Sequence, residues 1–365
     1  MVNHVLLVEP KYYSRYPPLG LLKLSSYHKN VGNTTQLVRG ISDEIETEPD
    51  IIYITSLFTW AWKPVWEAIW HYSENFPNSE MWLGGLYASL MPEHAALSGI
   101  KPSQIFTGIF SEAENMIPDY SLVPWWNEKV GGSIVFASRG CIRSCPYCAV
   151  PIIEKSFNSA KDSIRKFIWP GHRKVIFFDN NFLANPNWNK ILDEVEELDL
   201  EVDFNQGLDA RLITEEVAKK LSNLKIERMI RLSYDYREMK PFVIKAIEHL
   251  KSNGIDGRNI LVYTLYNFTD NPDDFYLRMS DILQSGAVCY PQRYEPNYQP
   301  FKNRFISRQW DDTRLNAIQR ARRVIGCNGA FLPHEGMLKR KINKYSTFDG
   351  AFKEFMEPLE EEIVQ

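Results

Sequence analysis

Consecutive apolar residues come in short bursts along this chain, and between the bursts apolar positions recur every three or four residues. His4–Val8, Thr35–Val38, Ile51–Thr55 and Met81–Gly85 are bursts of the first kind, followed by Gln104–Thr107. Each predicts a strand. Leu19–Asn30, stopping at Gly32, Lys63–Tyr72 and Pro92–Leu97 have the second spacing and predict helices. Strand and helix in alternation imply an α/β domain over residues 1–117. It would be built on an open, mostly parallel sheet whose ligands bind beyond the carboxyl ends of the strands. Residues 118–132 hold Pro118, Pro124, Gly131 and Gly132 among polar positions and read as a linker. Trp125 and Trp126 within it are expected to pack between domains.

From residue 133 the pattern becomes a regular βα succession. Ser133–Ala137, Lys174–Phe178, Leu200–Phe204, Glu227–Ser233, Asn259–Leu265 and Ala287–Pro291 predict six strands. Trp188–Leu198, a segment opening at Thr214, Pro241–Asn253 and Asp273–Gln284 predict helices. Thr214 suits an N-cap, with Glu215 and Glu216 in the first turn. Residues 133–300 therefore form a second domain and residues 301–365 a C-terminal extension, helical over Arg314–Val324.

Composition narrows the class without naming a partner. The 365 residues are 44% hydrophobic and 24% charged, with a net charge of −4, enough for sizeable cores. No apolar run approaches membrane length. The opening Met1-Val2-Asn3-His4 leads into a strand rather than a signal peptide, so the chain reads as cytoplasmic. Charge is uneven. Residues 301–345 carry eleven Lys or Arg against three acids, a local excess of +8. With Phe301, Phe305 and Trp310 this segment could track a polynucleotide, but a solvated helical face is the favoured reading.

The chemistry gathers at Ser138–Cys148. Three of the five cysteines, Cys141, Cys145 and Cys148, are spaced C-x3-C-x2-C on the loop after the strand Ser133–Ala137. Three thiolates on one loop suit an iron–sulfur cluster with one iron left for a non-protein ligand. Zinc would need a fourth ligand at finger-like spacing, which neither Glu154 nor His172 supplies. A redox C-x2-C would leave Cys141 idle. An odd cysteine count without a secretory segment argues against a disulfide. Cys289 and Cys327 are too few for a second cluster and read as buried apolar residues.

This motif, with Tyr147 before its last cysteine and a βα repeat around it, resembles the radical S-adenosylmethionine (SAM) superfamily. The resemblance implies a [4Fe-4S] cluster held by Cys141, Cys145 and Cys148, with SAM on the fourth iron. An electron from a donor such as flavodoxin or ferredoxin would cleave SAM to a 5′-deoxyadenosyl radical, which abstracts hydrogen from substrate. It also implies that residues 133–300 fold as a partial (β/α)6 barrel, whose strand ends carry the site. The candidates to hold SAM are then Tyr147, Asp179, Asn180, Asn181, Gln206, Arg211, Ser233 and Asp235. Asp179–Asn181 stand where most of the superfamily has a Gly-Gly-Glu-like stretch. Arg211 suits the SAM carboxylate, Ser233 and Asp235 suit ribose hydroxyls, and Tyr147 suits the adenine edge.

Residues 1–117 are similar to the cobalamin-binding-like Rossmann domain found ahead of many radical SAM cores. The matching pieces are Pro17-Pro18-Leu19-Gly20-Leu21, Gly84-Gly85 and Ile117-Pro118-Asp119-Tyr120. The D-x-H-x-x-G motif, whose histidine ligates cobalt, is missing. His28 has Ser26 at the Asp position and Gly32 one residue late, so it reads as a helix-end residue. Cobalamin is therefore not favoured, while its binding without a lower protein ligand stays open. Glu112 and Glu114 read as helix-start residues. No cysteine precedes Cys141, so the auxiliary cluster of methylthiotransferases has no ligands. The reading is a radical SAM enzyme acting on an unidentified substrate, with a nucleic acid or nucleotide as candidate. The alternatives are a cobalamin-dependent radical SAM methyltransferase and a non-catalytic Fe–S or zinc protein that binds nucleic acid.

Overall fold

The computed structural model describes residues 4–158, 160–325 and 344–357. The chain divides into two compact units, residues 1–176 with 296–303, and residues 177–295 with 304–365.

In the first unit four parallel strands lie in the order β2-β1-β3-β4: β1 (His4–Glu9), β2 (Thr34–Arg39), β3 (Ile51–Ser56) and β4 (Glu80–Gly85). β1 is central and buried along its whole length. Leu6 and Val8 join Val65, Ile69 and Tyr72 in one core, while Val5 and Leu7 join Leu21 and Ile51 in another. A strand that feeds two cores needs apolar residues facing both, which is why Val5–Val8 is a run and not an alternation.

The helix Leu19–Asn30 is tied to residue 119 from two consecutive turns. Ser25 Oγ and Lys29 Nζ each stand 2.6 Å from Asp119 Oδ2. Burial acts to raise the Asp119 pKa, but hydrogen bonds from Lys29, Ser121 and Ser25 outweigh it, and the carboxyl lies below its usual value. The expected strand Gln104–Thr107 is reduced to a bridge. Pro102 opens a 3₁₀ turn over Pro102–Gln104, and only Ile105 pairs with Leu83. Residues 118–132 carry a 3₁₀ turn, Tyr120–Leu122, and a helix, Pro124–Lys129. Trp126 is buried there, its indole N–H donating to Gly132 O at 2.7 Å.

β5 (Gly132–Val135) follows in the first unit, and β6 (Lys174–Phe177) lies where the chain divides. In the second unit β7 (Glu201–Phe204) pairs in parallel with a two-residue β8 (Lys225–Ile226). β9 (Ile230–Ser233), β10 (Ile260–Tyr266) and β11 (Val288–Arg293) form a parallel sheet in the order β11-β10-β9. The expected strand Glu227–Ser233 starts late because the Glu227 N–H turns back to Val202 O at 3.0 Å. The helices Trp188–Glu197, Glu215–Ser222, Lys240–Ser252 and Pro272–Gln284 alternate with these strands. Thr214 caps the second of them, its side chain accepting from the Val217 N–H.

The architecture is α/β: a Rossmann-like open parallel sheet, then a βα succession of the partial (β/α)6 type, then a mostly helical C-terminal extension. In that extension Trp310 and Phe348 pack against Phe275. Residues 326–343 of the basic segment, Cys327 among them, lie outside the described residues. No described helix is long and apolar enough to cross a membrane.

Candidate cluster loop and cofactor cavity

Cys141, Cys145 and Cys148, none of them in a disulfide, are of intermediate exposure on the loop that leaves β5. The backbone fixes this loop tightly. Arg139 and Asn158 exchange N–H···O bonds of 3.0 and 2.9 Å. Gly140 has φ of +74°, and a Cβ there would meet Ser156 O at 2.1 Å, so no other residue fits this turn. Backbone N–H groups of Arg143 and Val150 stand 3.4 Å from the sulfurs of Cys141 and Cys148. Such donors stabilise the thiolate, the form that binds iron. No set of three His, Cys, Asp or Glu among the described residues is gathered as for a single metal ion. Glu154 and His172 are otherwise employed. His172 sits between Ser133 Oγ at 2.9 Å and Asn127 Oδ1 at 3.0 Å, and burial lowers its pKa to about 4. Tyr147 is half-buried, its carbonyl 3.4 Å from the Asn297 amide.

A cavity of about 640 Å³ opens in the same unit, along β3 and β4 from their first residues, Ile51 and Glu80, to Thr55 and Gly85. Ile51, Trp82, Phe106, Phe110 and Phe136 are among its walls, and its charged lining residues are Lys23, Glu80, Glu114 and Arg139. Lys23 Nζ lies 3.1 Å from Glu114 Oε2 and 2.8 Å from the Glu114 carbonyl. Burial pushes the Lys23 pKa down to about 8 against the pull of Glu114. Glu114 Oε1 faces Arg139 Nε at 3.6 Å, too long for a hydrogen bond. The Arg139 guanidinium lies over the Phe136 ring, 3.8 Å from its centroid, and reaches Glu154 Oε1 at 3.2 Å. The other Glu154 oxygen accepts from the Gly140 N–H at 2.5 Å. Ion pair and hydrogen bond thus run without a break from the cavity wall to the residue before Cys141.

His28 is not among the cavity's described walls, though its neighbour Tyr53 is. Its ring nitrogens stand 3.2 Å from Tyr53 Oη and 3.0 Å from Asn33 Nδ2, and burial lowers its pKa. It is a buried helix-end residue.

In the second unit Asn181, Asp209, Arg211 and Tyr236, past the strand ends, form a hydrogen-bonded group. Asp179 and Asn181 are buried, Asn180 is half-buried and Gln206 is exposed. Asn181 Nδ2 lies 3.3 Å from Asp209 Oδ2. Asp209 also binds Arg211, with Nε at 2.6 Å and Nη2 at 3.1 Å, and the Arg211 Nη1 is 3.5 Å from Tyr236 Oη. The Arg211 fork is thus already matched to a carboxylate of its own chain. Ser233 and Asp235, both half-buried, flank the fully buried Tyr234.

The sequence matches no protein-family model and no curated protein. The structure does have relatives. TsrM from Kitasatospora setae, a radical S-adenosylmethionine methyltransferase with cobalamin and a [4Fe-4S] cluster bound, aligns with a TM-score of 0.62. The match has 13% identity over 80% of this chain and 75% of that one. TsrM with tryptophan substrate and a SAM analogue gives 0.60 at 14% identity, over 80% and 73%. OxsB, a cobalamin-dependent S-adenosylmethionine radical enzyme with aqua-cobalamin and S-adenosylmethionine bound, gives 0.56 at 14% identity. There the match spans 80% of this chain and 53% of OxsB. The fold is shared with radical SAM enzymes. Cobalamin is bound in both the TsrM and the OxsB structures.

Lys23, Glu114 and Glu154 were not recognisable as site residues from the sequence. Glu114 reads there as a helix-start acid and Glu154 as a poor zinc ligand. Arg139 stands directly before Gly140-Cys141, and that position is the signal that could have marked it.

Proposed function

We propose that this protein is a radical SAM enzyme whose first unit holds a corrinoid. The observation that carries the reading is the loop Ser138–Cys148. It presents three thiols on a rigid backbone turn, two of them with N–H donors on sulfur. When bound, a [4Fe-4S] cluster supplies the electron that cleaves SAM, and a corrinoid supplies a carrier for a methyl group. Cys141, Cys145 and Cys148 hold the cluster. The cavity suits the flat, aromatic end of a corrinoid's nucleotide tail. Trp82, Phe106 and Phe110 offer ring faces, and at Gly20 and Gly84 a Cβ would meet nothing within 4 Å, so bare backbone borders the space. No histidine is among the cavity's described walls, so none of these residues would supply a histidine ligand to a corrinoid held there. Tyr147, Asp179, Asn180, Asn181, Gln206, Ser233 and Asp235 are the groups proposed to hold SAM. Arg211 acts with Asp209 as one unit, orienting Asn181. A flavodoxin or ferredoxin supplies the electron.

Anaerobic reconstitution with iron, sulfide and hydroxocobalamin, followed by reduction in the presence of SAM, tests this. The expected outcome is a reducible four-iron cluster, corrinoid absorbance that survives gel filtration, and release of 5′-deoxyadenosine or S-adenosylhomocysteine. Cys145→Ala should lose the cluster. Zinc in place of iron, or a reduced cluster that leaves SAM intact, would overturn the proposal. A competent cluster without retained corrinoid would leave hydrogen abstraction alone as the reading.

A further inference from the structure

We propose that Glu114, Arg139 and Glu154 form a relay that couples what occupies the cavity to the shape of the cysteine loop, with Arg139 as its positioning residue. Arg139 lines the cavity and is also the residue before Gly140-Cys141. Its guanidinium lies on Phe136, itself a wall residue, so ring and charge move as one piece of wall. On one side it faces Glu114, which Lys23 holds. On the other it pairs with Glu154, whose second oxygen takes the Gly140 N–H.

Gly140 has little freedom of its own. Its positive φ, its contact with the Ser156 carbonyl and the Arg139–Asn158 bridge fix the chain on either side. Within that turn the Gly140 N–H on Glu154 is the contact that ties the residue before Cys141 to Arg139. The side chains of Lys23, Glu114, Arg139 and Glu154 are only 10–13% exposed, so solvent screens their interactions little. A ligand that displaces Phe136 or Glu114 must move Arg139, and a moved Arg139 releases or tightens Glu154. A buried ion cluster that merely stabilises the fold would show no such dependence of one end on the other.

A double-mutant cycle separates the two. The readouts are hydrogen exchange at the amides of residues 140–142 and, in reconstituted protein, the EPR signal and midpoint potential of the reduced cluster. Glu114→Gln, at the cavity end, should speed exchange at Gly140 about tenfold, the scale of one weakened charge-assisted hydrogen bond. It should also shift the cluster signal. Arg139→Gln should do the same, and the double variant should be no worse than Arg139→Gln alone. Hydroxocobalamin should slow exchange at 140–142 in the wild type and leave it unchanged in Arg139→Gln. Should Arg139→Gln fail to fold, Glu114→Gln paired with Glu154→Gln asks the same question. The relay is overturned if folded Glu114→Gln matches the wild type in exchange, or if the two effects simply multiply. The inference rests on the proposed function for its EPR arm, which needs the loop as a cluster site, and for its hydroxocobalamin arm, which needs the cavity as a corrinoid site. Exchange in the apoprotein needs neither cluster nor corrinoid, so loss of that reading leaves the test standing.

Discussion

Gly140 and His172 show how much of the first unit depends on single side chains, or on the lack of one. At Gly140 an added methyl would press on the Ser156 carbonyl, in a backbone conformation that L-residues avoid. Gly140→Ala should cost on the order of 3 kcal/mol, read as a lowered urea midpoint together with reduced iron loading. His172 is held neutral. Its folded pKa of about 4 lies below the unfolded value of roughly 6.5. Between those pH values the unfolded chain binds more protons than the folded one. The stabilisation is therefore complete above about pH 6.5 and is lost as pH falls toward 4. Urea unfolding at pH 7 and at pH 4.5 should show wild type losing more stability than His172→Gln, by on the order of 2 kcal/mol. Equal losses in the two proteins would show that His172 is free to take a proton.

At the scale of elements, two neighbouring glycines in β4 have opposite reasons to be there. Gly85 has φ of +100°, and its Cβ would lie 2.3 Å from Ser56 O. Gly84 is unstrained, and its Cβ would meet nothing within 4 Å. Gly85→Ala should therefore destabilise the first unit. Gly84→Val puts a strand-favouring side chain at the cavity wall and should keep the melting temperature while weakening hydroxocobalamin binding at least tenfold, measured by absorbance titration. Unchanged binding would mean that the corrinoid sits elsewhere. The sequence shows this pair only as Gly-Gly, because the difference lies in what stands opposite. What was legible was local. The bounds of the helix Leu19–Asn30, the strand around Val5–Val8 and the Thr214 cap follow from spacing and residue type within one element. The cysteine loop was legible because its ligands are seven residues apart at most. The Lys23–Glu114 pair spans 91 residues, and the cavity draws its walls from several separate segments, so no periodicity could mark either. Gln104–Thr107 misled because its β-like residues follow Pro102, which commits the chain to a turn before a strand can start.

At the scale of the whole molecule the question is what the charge asymmetry is for. The chain carries −4 overall but +8 within residues 301–345, so the remainder carries −12. Free, aligned cations would make that segment a track for phosphates. Several of its described arginines are bound internally instead. Arg314 pairs with Asp349 at 2.6 Å, and Arg320 reaches the carbonyls of Phe355 and Glu357 at 3.2 and 3.1 Å. Arg322 lies against Tyr290. Each such contact removes a cation from any phosphate count and uses it to hold the extension's helices in place. Each phosphate contact made to a single strand steepens the dependence of log K on log salt by about 0.7. Anisotropy titrations of a labelled single-stranded oligonucleotide between 50 and 200 mM salt should thus give weak binding with a slope no steeper than about −2. A slope near −6 would require most of the segment's cations at once, and would restore a polynucleotide as the substrate to pursue.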